Sequence, residues 1–230
     1  MTDALKIGFV LFDDLTQLDF TGPLQVLSRL PGAEVHLVAK SLSPVRTDCG
    51  PFIMPDTRLA DCPGLDLICI PGGFGVDAAM QDGETVDFVK RQAAGARYVT
   101  SVCTGAFILG AAGLLEGRKA TTHWRYHDYL ARFGAEPVKA RVVRDGNLFT
   151  GGGVTAGIDF AFTIAVEIAG EMMAQAIQLG LEYDPCPPVD SGAPEKASER
   201  VRAGIEQRFA PRIEAFEQVV DTVLARPETA

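Results

Sequence analysis

Long apolar runs and an excess of positive charge are both missing from this chain of 230 residues. No stretch approaches the roughly 18 apolar residues of a membrane-spanning helix, so we expect no membrane partner. Lys and Arg number 21 against 30 Asp and Glu, a net charge of −9 at pH 7, which argues against a nucleic-acid partner. The first residues lack a basic segment followed by an apolar one, so we expect no signal peptide and a cytoplasmic protein.

Cysteine and histidine are too few and too scattered to predict a disulfide framework or a metal site. The 5 cysteines are an odd number and include no C-x-x-C pair. Of the 3 histidines, His123 and His127 have a helical spacing, but no Glu follows His123 as it would in H-E-x-x-H. We expect no metal, and we expect four cysteines to be structural: Cys49, Cys62, Cys69 and Cys186.

Buried strands alternate with helical segments along most of the chain. Apolar runs at 6–12 and 65–70 predict strands buried on both faces, and 34–39 predicts another strand between them. A helical pattern follows at 85–96. A β-branched run then ends at Cys103. This alternation predicts an α/β sandwich around a mainly parallel sheet, in which binding sites form at the carboxyl ends of the strands.

Proline and glycine mark the expected limits of several elements. A helix is expected to open at Asp19, because Pro23 is best tolerated in a first turn. The helix after Cys103 is expected to stop near Leu115, before Gly117. Alternating residues around 145–147 (Asp-Gly-Asn) predict a β-hairpin.

The C-terminal region differs in character from the rest of the chain. A proline-rich break at 185–188 separates an α/β domain, residues 1–188, from a charged segment, residues 189–230. Apolar side chains recur there at helical spacing, which predicts two amphipathic helices separated at Pro211. We expect this helical arm to pack on the domain or on a dimer mate.

Cys103 occupies the most informative position in the sequence. It ends a β-branched strand, and a helical run of small and apolar residues begins directly after it, which is the layout of a nucleophile elbow. Gly105 would leave room for the sharp turn. The helix N-terminus and its free N–H groups would favour the thiolate of Cys103. A buried structural cysteine at the end of a strand is an equally plausible interpretation of this pattern.

Three strand ends carry special residues that are expected to converge on one pocket. They are 13–19 after the first strand, 71–75 after the third and Cys103 after the fourth.

Six segments of the chain resemble the ThiJ/PfpI superfamily: 18–23 (Leu-Asp-Phe-Thr-Gly-Pro), 70–75 (Ile-Pro-Gly-Gly-Phe-Gly), 101–106 (Ser-Val-Cys-Thr-Gly-Ala), 120–124 (Ala-Thr-Thr-His-Trp), 141–148 and 150–159. The resemblance implies a flavodoxin-like three-layer sandwich of the class I glutamine amidotransferase type.

Within the superfamily, the chain is most similar to the isocyanide hydratase branch. The aspartate at position 19, the threonine after Cys103 and the helical end of the chain carry this likeness. It implies hydration of isocyanides to N-formamides without metal or organic cofactor, by a homodimer whose substrates are an isocyanide and water. Protease-like members place a histidine where Thr104 stands, so a Cys-His pair for peptide hydrolysis is not supported. A structural role beside Trp124 is favoured for His123.

The resemblance implies a catalytic role for Cys103, Asp19 and Thr104. Cys103 would attack the terminal carbon of the isocyanide and form a thioimidate, while Asp19 acts first as acid and then as base. The Thr104 hydroxyl would bind the attacking water. Backbone N–H groups of Gly72 and Gly73 would form the oxyanion loop. From the pattern alone, Asp19 would be a helix N-cap and the two glycines an ordinary turn.

Three other functions remain open at the level of the sequence. Regulators of the AraC type carry similar motifs, so a stand-alone small-molecule sensor is one alternative. A cofactor-free glyoxalase or deglycase is another, although those relatives more often use glutamate at the position of Asp19. Redox sensing through Cys103 is the third, since low-pKa cysteines oxidise readily.

Overall fold

A central sheet of seven strands organises the protein, which we describe from a computed structural model. The structure describes residues 4–226, so the outer ends of the two predicted domains, 1–3 and 227–230, lie outside it. The strands are β1 (Leu5–Val10), β2 (Ala33–Ala39), β3 (Val45–Arg46), β4 (Phe52–Ile53), β5 (Thr57–Arg58), β6 (Leu67–Ile70), β7 (Tyr98–Val102), β8 (Lys119–Ala120), β9 (Glu136–Pro137), β10 (Val142–Asp145) and β11 (Leu148–Gly151).

The order of the sheet is β10-β11-β7-β6-β1-β2-β5, and every neighbouring pair is parallel except β10 and β11. The antiparallel pair is the hairpin expected around residues 145–147. Register brings the carboxyl ends of three strands together, because Ile70 pairs with Ser101 and Val102 pairs with Gly151. The loops that follow β6, β7 and β11 therefore leave the sheet side by side.

Helices cover both faces of the sheet, which confirms the three-layer α/β architecture. They are α1 (Gln17–Leu27), α2 (Val76–Ala79), α3 (Gly83–Gly95), α4 (Ala106–Ala111), α5 (Ala156–Ala169), α6 (Glu171–Leu181) and α7 (Glu199–Leu224), with 3-10 turns at Leu59–Asp61, Cys103–Gly105 and Trp124–Phe133. One core cluster contains side chains of α1, α5 and α6, and the other those of α2, α3, α4 and α7. Alternate residues of β6 point to opposite faces, so Ile68 joins one cluster and Cys69 the other.

Two expected helix limits near the sheet are wrong. Helix α1 begins at Gln17, which leaves Pro23 inside the helix rather than in its first turn. Helix α4 ends at Ala111 rather than near Leu115. The chain turns there because Gly113 adopts a φ of 73°, the left-handed conformation that commonly ends helices.

The C-terminal arm is one helix, not two. Residues 182–198 form no helix or strand, and α7 then continues through Pro211. Proline removes one backbone hydrogen bond, but packing on both sides of it holds the helix together. Phe216 and Val220 are buried in the core cluster of α4, and Arg132 forms an ion pair with Asp221 of 2.7 Å. No helix in residues 4–226 combines the length and apolarity that crossing a bilayer requires.

Phe216 is the side chain that anchors α7, so its truncation should destabilise the whole fold. The ring is 1% exposed and its centroid lies 4.8 Å from that of Phe107 and 4.9 Å from that of Tyr126. We expect Phe216→Ala to lower the free energy of unfolding by about 3–5 kcal/mol in denaturant titrations. The matched control is Phe52→Ala, at a ring that is 64% exposed, which should change it by about 0.5 kcal/mol or less. Equal effects of the two substitutions would show that α7 does not depend on this anchor.

Candidate active site

The expected convergence of strand ends is confirmed at one end of the sheet. A cavity of about 180 Å³ opens there above β6 and β7. Its lining comes from the segments after β1, β6, β7, β8 and β11, from the β3–β4 turn and from α7: Thr16, Asp48, Gly73, Phe74, Cys103, Thr104, His123, Tyr126, Val154 and Phe209. Cys103 and Thr104 reach it directly.

Cys103 stands on a strained turn, as the elbow interpretation predicts. Its φ is 56°, a left-handed conformation that costs a non-glycine residue about 1–3 kcal/mol. A 3-10 turn, Cys103–Gly105, leads from β7 into α4. A Cβ atom at Gly105 would lie 2.7 Å from the carbonyl oxygen of Pro71, so the glycine allows the turn to approach the end of β6.

Backbone and hydroxyl groups hold the elbow from both sides. The N–H of Cys103 donates to the carbonyl oxygen of Gly152 at 3.0 Å. The Thr122 hydroxyl donates to the carbonyl oxygen of Cys103 at 2.7 Å in a buried hydrogen bond. The Thr-Thr-His-Trp segment therefore contributes to the site through Thr122, a role that its motif did not reveal.

The environment of the Cys103 sulfur favours the thiol, contrary to the expected thiolate. Burial and then the Asp19 carboxylate raise the pKa of Cys103 well above its ordinary value of 9.0. Backbone N–H groups of Thr104 and Val154 interact with the sulfur and lower the pKa, but they do not outweigh the burial. The N–H groups at the start of the helix lower the pKa of Cys103, but burial raises this pKa by more.

Asp19 is a buried acid rather than a helix N-cap. It lies in the first turn of α1 and is 0% exposed, with Oδ2 accepting from the N–H of Gly72 at 2.9 Å. Burial raises the pKa of Asp19 from 3.8 to about 7, although the Gly72 N–H and Cys103 both lower it. The other carboxyl oxygen, Oδ1, has no hydrogen-bond partner among residues 4–226. The carboxyl group and the thiol each influence the other's protonation, so they form one titrating pair.

The two glycines of the expected oxyanion loop use their N–H groups to position other site residues. Gly72 holds Asp19, and the N–H of Gly73 donates to the Thr104 hydroxyl at 3.0 Å. A Cβ atom at Gly72 would lie 2.6 Å from the Thr104 nitrogen and 2.8 Å from Asp19 Oδ2. The missing side chain thus lets Asp19 and Thr104 approach each other across this loop.

His123 forms part of the cavity wall and is neutral. Burial, followed by the charge of Arg125, lowers the pKa of His123 to about 4. Its Nδ1 accepts from the N–H of Arg125 at 3.3 Å, and its ring stacks on Phe209 with 6.2 Å between centroids. Residues 4–226 contain no group of three or more His, Cys, Asp or Glu side chains placed to hold a metal ion.

Four lining residues were not identified from the sequence: Asp48, Tyr126, Val154 and Phe209. Phe209 belongs to the apolar stripe of α7, which predicts burial but not the partner surface. Tyr126 is buried beside the site, and burial raises its pKa to about 12, so it remains a neutral phenol. Val154 adopts a φ of 24°, an unusual backbone conformation that no sequence pattern indicates for a β-branched residue.

Comparisons with known proteins confirm the resemblance. An isonitrile hydratase of Pseudomonas putida is 56% identical over 223 residues, which cover 97% of this chain and 98% of that protein. An HTH-type transcriptional regulator of Pseudomonas aeruginosa is 31% identical over 189 residues, covering 78% of this chain and 51% of the regulator.

Among solved structures, a ThiJ/PfpI family protein from Pseudomonas syringae superimposes with a TM-score of 0.92 at 42% identity, covering 98% of this chain and 92% of that one. DJ-1beta of Drosophila melanogaster gives a TM-score of 0.70 at 26% identity, covering 79% of this chain and 100% of that one. A sequence model of the DJ-1/PfpI family matches residues 5–167, and with the elbow at Cys103 in place, this chain belongs to the DJ-1/PfpI family.

Proposed function

We propose that this protein hydrates isocyanides to N-formamides, with Cys103 as nucleophile and Asp19 as the group that moves protons. The observation that carries the proposal is the buried pair of these two side chains at the elbow, beside a small cavity with aromatic walls. The similarity to the isonitrile hydratase of Pseudomonas putida, 56% over nearly the full length of both chains, supports the substrate class.

The first step joins Cys103 to the substrate. When the pair holds one proton, the Asp19 carboxylate can accept it from the thiol as the sulfur attacks the terminal carbon of R–N≡C. Asp19 then delivers that proton to the same carbon. A C–S and a C–H bond form, and the product is the thioimidate R–N=CH–S–Cys103. The carboxylate is regenerated and is ready to act as a base.

Water completes the reaction in two further steps. Asp19 takes a proton from water as the hydroxide adds to the thioimidate carbon, and passes this proton to nitrogen. The resulting R–NH–CH(OH)–S–Cys103 then collapses: the C–S bond breaks, the hydroxyl proton returns to the sulfur through Asp19, and R–NH–CHO leaves. The sum is addition of one water to one isocyanide, so the chemistry requires no redox partner.

The surrounding groups support charge and position. Backbone N–H groups of Thr104 and Val154 interact with the sulfur, where they would stabilise negative charge as the C–S bond forms and breaks. Gly72 and Gly73 act by holding Asp19 and Thr104 in place. The Thr104 hydroxyl accepts from the N–H of Gly73 and donates to the carbonyl oxygen of Gly73 at 3.3 Å, so its one remaining lone pair would accept from the attacking water and orient it.

The decisive test follows N-formamide formation from phenyl isocyanide with metal-free protein. We expect turnover by wild type and by Cys186→Ala, a control at an exposed cysteine, and at least about a thousandfold loss in Cys103→Ala and Asp19→Asn. Methylglyoxal is assayed in parallel. Turnover of methylglyoxal alone would favour the glyoxalase-like alternative, and tight binding without turnover of either compound would favour the sensor.

The stability of the Asp19→Asn variant shows whether the substitution leaves the fold intact. The folded state binds the Asp19 proton more tightly than the unfolded chain, so the contribution of Asp19 to wild-type stability decreases as pH rises from about 4 to 7. At about 1.4 kcal/mol per pKa unit, ionised Asp19 costs the folded state up to about 4 kcal/mol at pH 8. Asparagine has no such cost, so the variant should melt at or above the wild-type temperature at pH 8.

The pH dependence of kcat/KM should report the Asp19–Cys103 pair. Below pH 7 the pair holds two protons and no base is available for the thiol, because the pKa of Asp19 is about 7. We therefore expect kcat/KM to rise about tenfold per pH unit below 7 and to level off above it. Rates are corrected with an enzyme-free blank at each pH, since acid hydrolyses isocyanides. Equal kcat/KM at pH 5.5 and 8.5 would contradict this assignment.

A homodimer is part of the proposal. Helix α6 exposes Met172 and Leu179, which are 83% and 82% accessible and lie seven residues apart on one face. Exposed apolar side chains at helical spacing are typical of an interface. Sedimentation equilibrium should give twice the mass of the chain for wild type, and Leu179→Asp should shift the protein toward the monomer. A monomeric wild type would refute the dimer, and a dimeric variant would refute this surface.

A further inference from the structure

We propose that Phe209 of α7 sets the size of the organic group that the cavity accepts, an inference that rests on the proposed hydratase function. The C-terminal helix is remote in sequence from every residue of the proposed reaction. Phe209 nevertheless lines the cavity together with Cys103 and Thr104. A side chain from this helix therefore forms one wall of the space in which a substrate would lie.

Aromatic contacts fix the position of the Phe209 ring. It stacks on His123 with an interplanar angle of 17°, and it lies 6.4 Å from the ring of Phe74 at an angle of 56°. His123 is neutral, so this stack contributes an apolar surface rather than a charge. The three rings form one aromatic cluster, and all three line the cavity together with Cys103 and Thr104.

An ion pair one turn along the helix prevents the wall from moving freely. Arg212 forms a bidentate pair with Asp77, including a contact of 2.6 Å from Nη2 to Oδ1. The same Nη2 donates to the carbonyl oxygen of Phe74 at 2.9 Å. Further along, Phe216 and Val220 are buried in the core. The ion pair therefore holds α7 beside Phe209, and the buried side chains of Phe216 and Val220 hold the helix further along. The cavity is thus preformed.

The dimensions and chemistry of the cavity define the substrate class. A volume of about 180 Å³ is close to that of engineered protein cavities of about 150 Å³ that bind benzene. It suits an isocyanide with a neutral, apolar group about as large as a six-membered ring. Arg212 is neutralised by Asp77, and the carboxylate of Asp48 lies among the lining residues, so an anionic group would be disfavoured.

Phe209 can be shortened without removing the parts of α7 that hold it to the core. We expect Phe209→Ala to raise the ratio of kcat/KM for 1-naphthyl over phenyl isocyanide by about tenfold or more, and Phe209→Leu to raise it by less. The matched control is Ile205→Ala, one turn earlier on the same helix at an exposed position, which should leave the ratio within twofold of wild type. Circular dichroism checks that each variant is folded.

A binding measurement separates failure of this inference from failure of the hydratase proposal. N-phenylformamide and N-(1-naphthyl)formamide are titrated by calorimetry into Cys103→Ala with and without Phe209→Ala, where no turnover is needed. If Phe209→Ala shifts the Kd ratio toward the naphthyl compound by about tenfold, Phe209 limits the size of the bound group, even if wild type hydrates no isocyanide. An unchanged Kd ratio, an unchanged kcat/KM ratio in an active enzyme, or absence of formamide binding would overturn the assignment.

Discussion

The burial of one carboxyl group, that of Asp19, is the constraint on which the rest of the site depends. The group is fully enclosed and has one backbone donor, the N–H of Gly72, so its ionised form is only partly compensated. This raises its pKa to about 7, where a carboxyl group can both give and take protons near neutral pH. The same enclosure, together with the charge of Asp19, raises the pKa of Cys103 well above its ordinary value.

Several neighbouring features follow from the need to place that carboxyl group beside the thiol. Gly72 has no side chain, because a Cβ atom would collide with Asp19 and Thr104. The left-handed turn at Cys103 presents the sulfur at the end of the sheet, and hydrogen bonds from Thr122 and to Gly152 hold this strained backbone in place. Gly72, Cys103 and Gly152 follow β6, β7 and β11, three neighbouring strands of the central sheet, which therefore holds these segments side by side.

The sequence was sufficient to predict the elements whose signals are local. The β-branched run before Cys103 and the small residues after it predict a strand, a turn and a helix, and parallel strands place 71–75 near Cys103. Asp19 was ambiguous, because a first-turn aspartate can cap its helix or face a neighbouring loop, and only the tertiary packing decides. The expected thiolate was wrong for a related reason: the helix start is a local effect, whereas burial depends on the whole fold.

The helical stripe of the C-terminal arm illustrates the same limit. Its spacing predicts which side chains are buried, yet Phe209, Phe216 and Val220 on that stripe have different partners, the first at the cavity and the others in the core. Pro211 predicts a break in the helix, but α7 is continuous through this residue because contacts on both sides of it stabilise the helix. Periodicity identifies an apolar face, but the surface that covers it is determined by segments far away in the chain.

The position of α7 at the end of the chain has a consequence for biosynthesis. The sheet, the elbow, the carboxyl group and two of the three aromatic rings all come from residues that are synthesised before residue 160, whereas Phe209 is added only by α7, residues 199–224. Domains generally fold as units during synthesis, the N-terminal one first. A nascent chain would therefore hold its thiol in a cleft that lacks the ring of Phe209, and the cavity would gain this wall only after the last helix has docked.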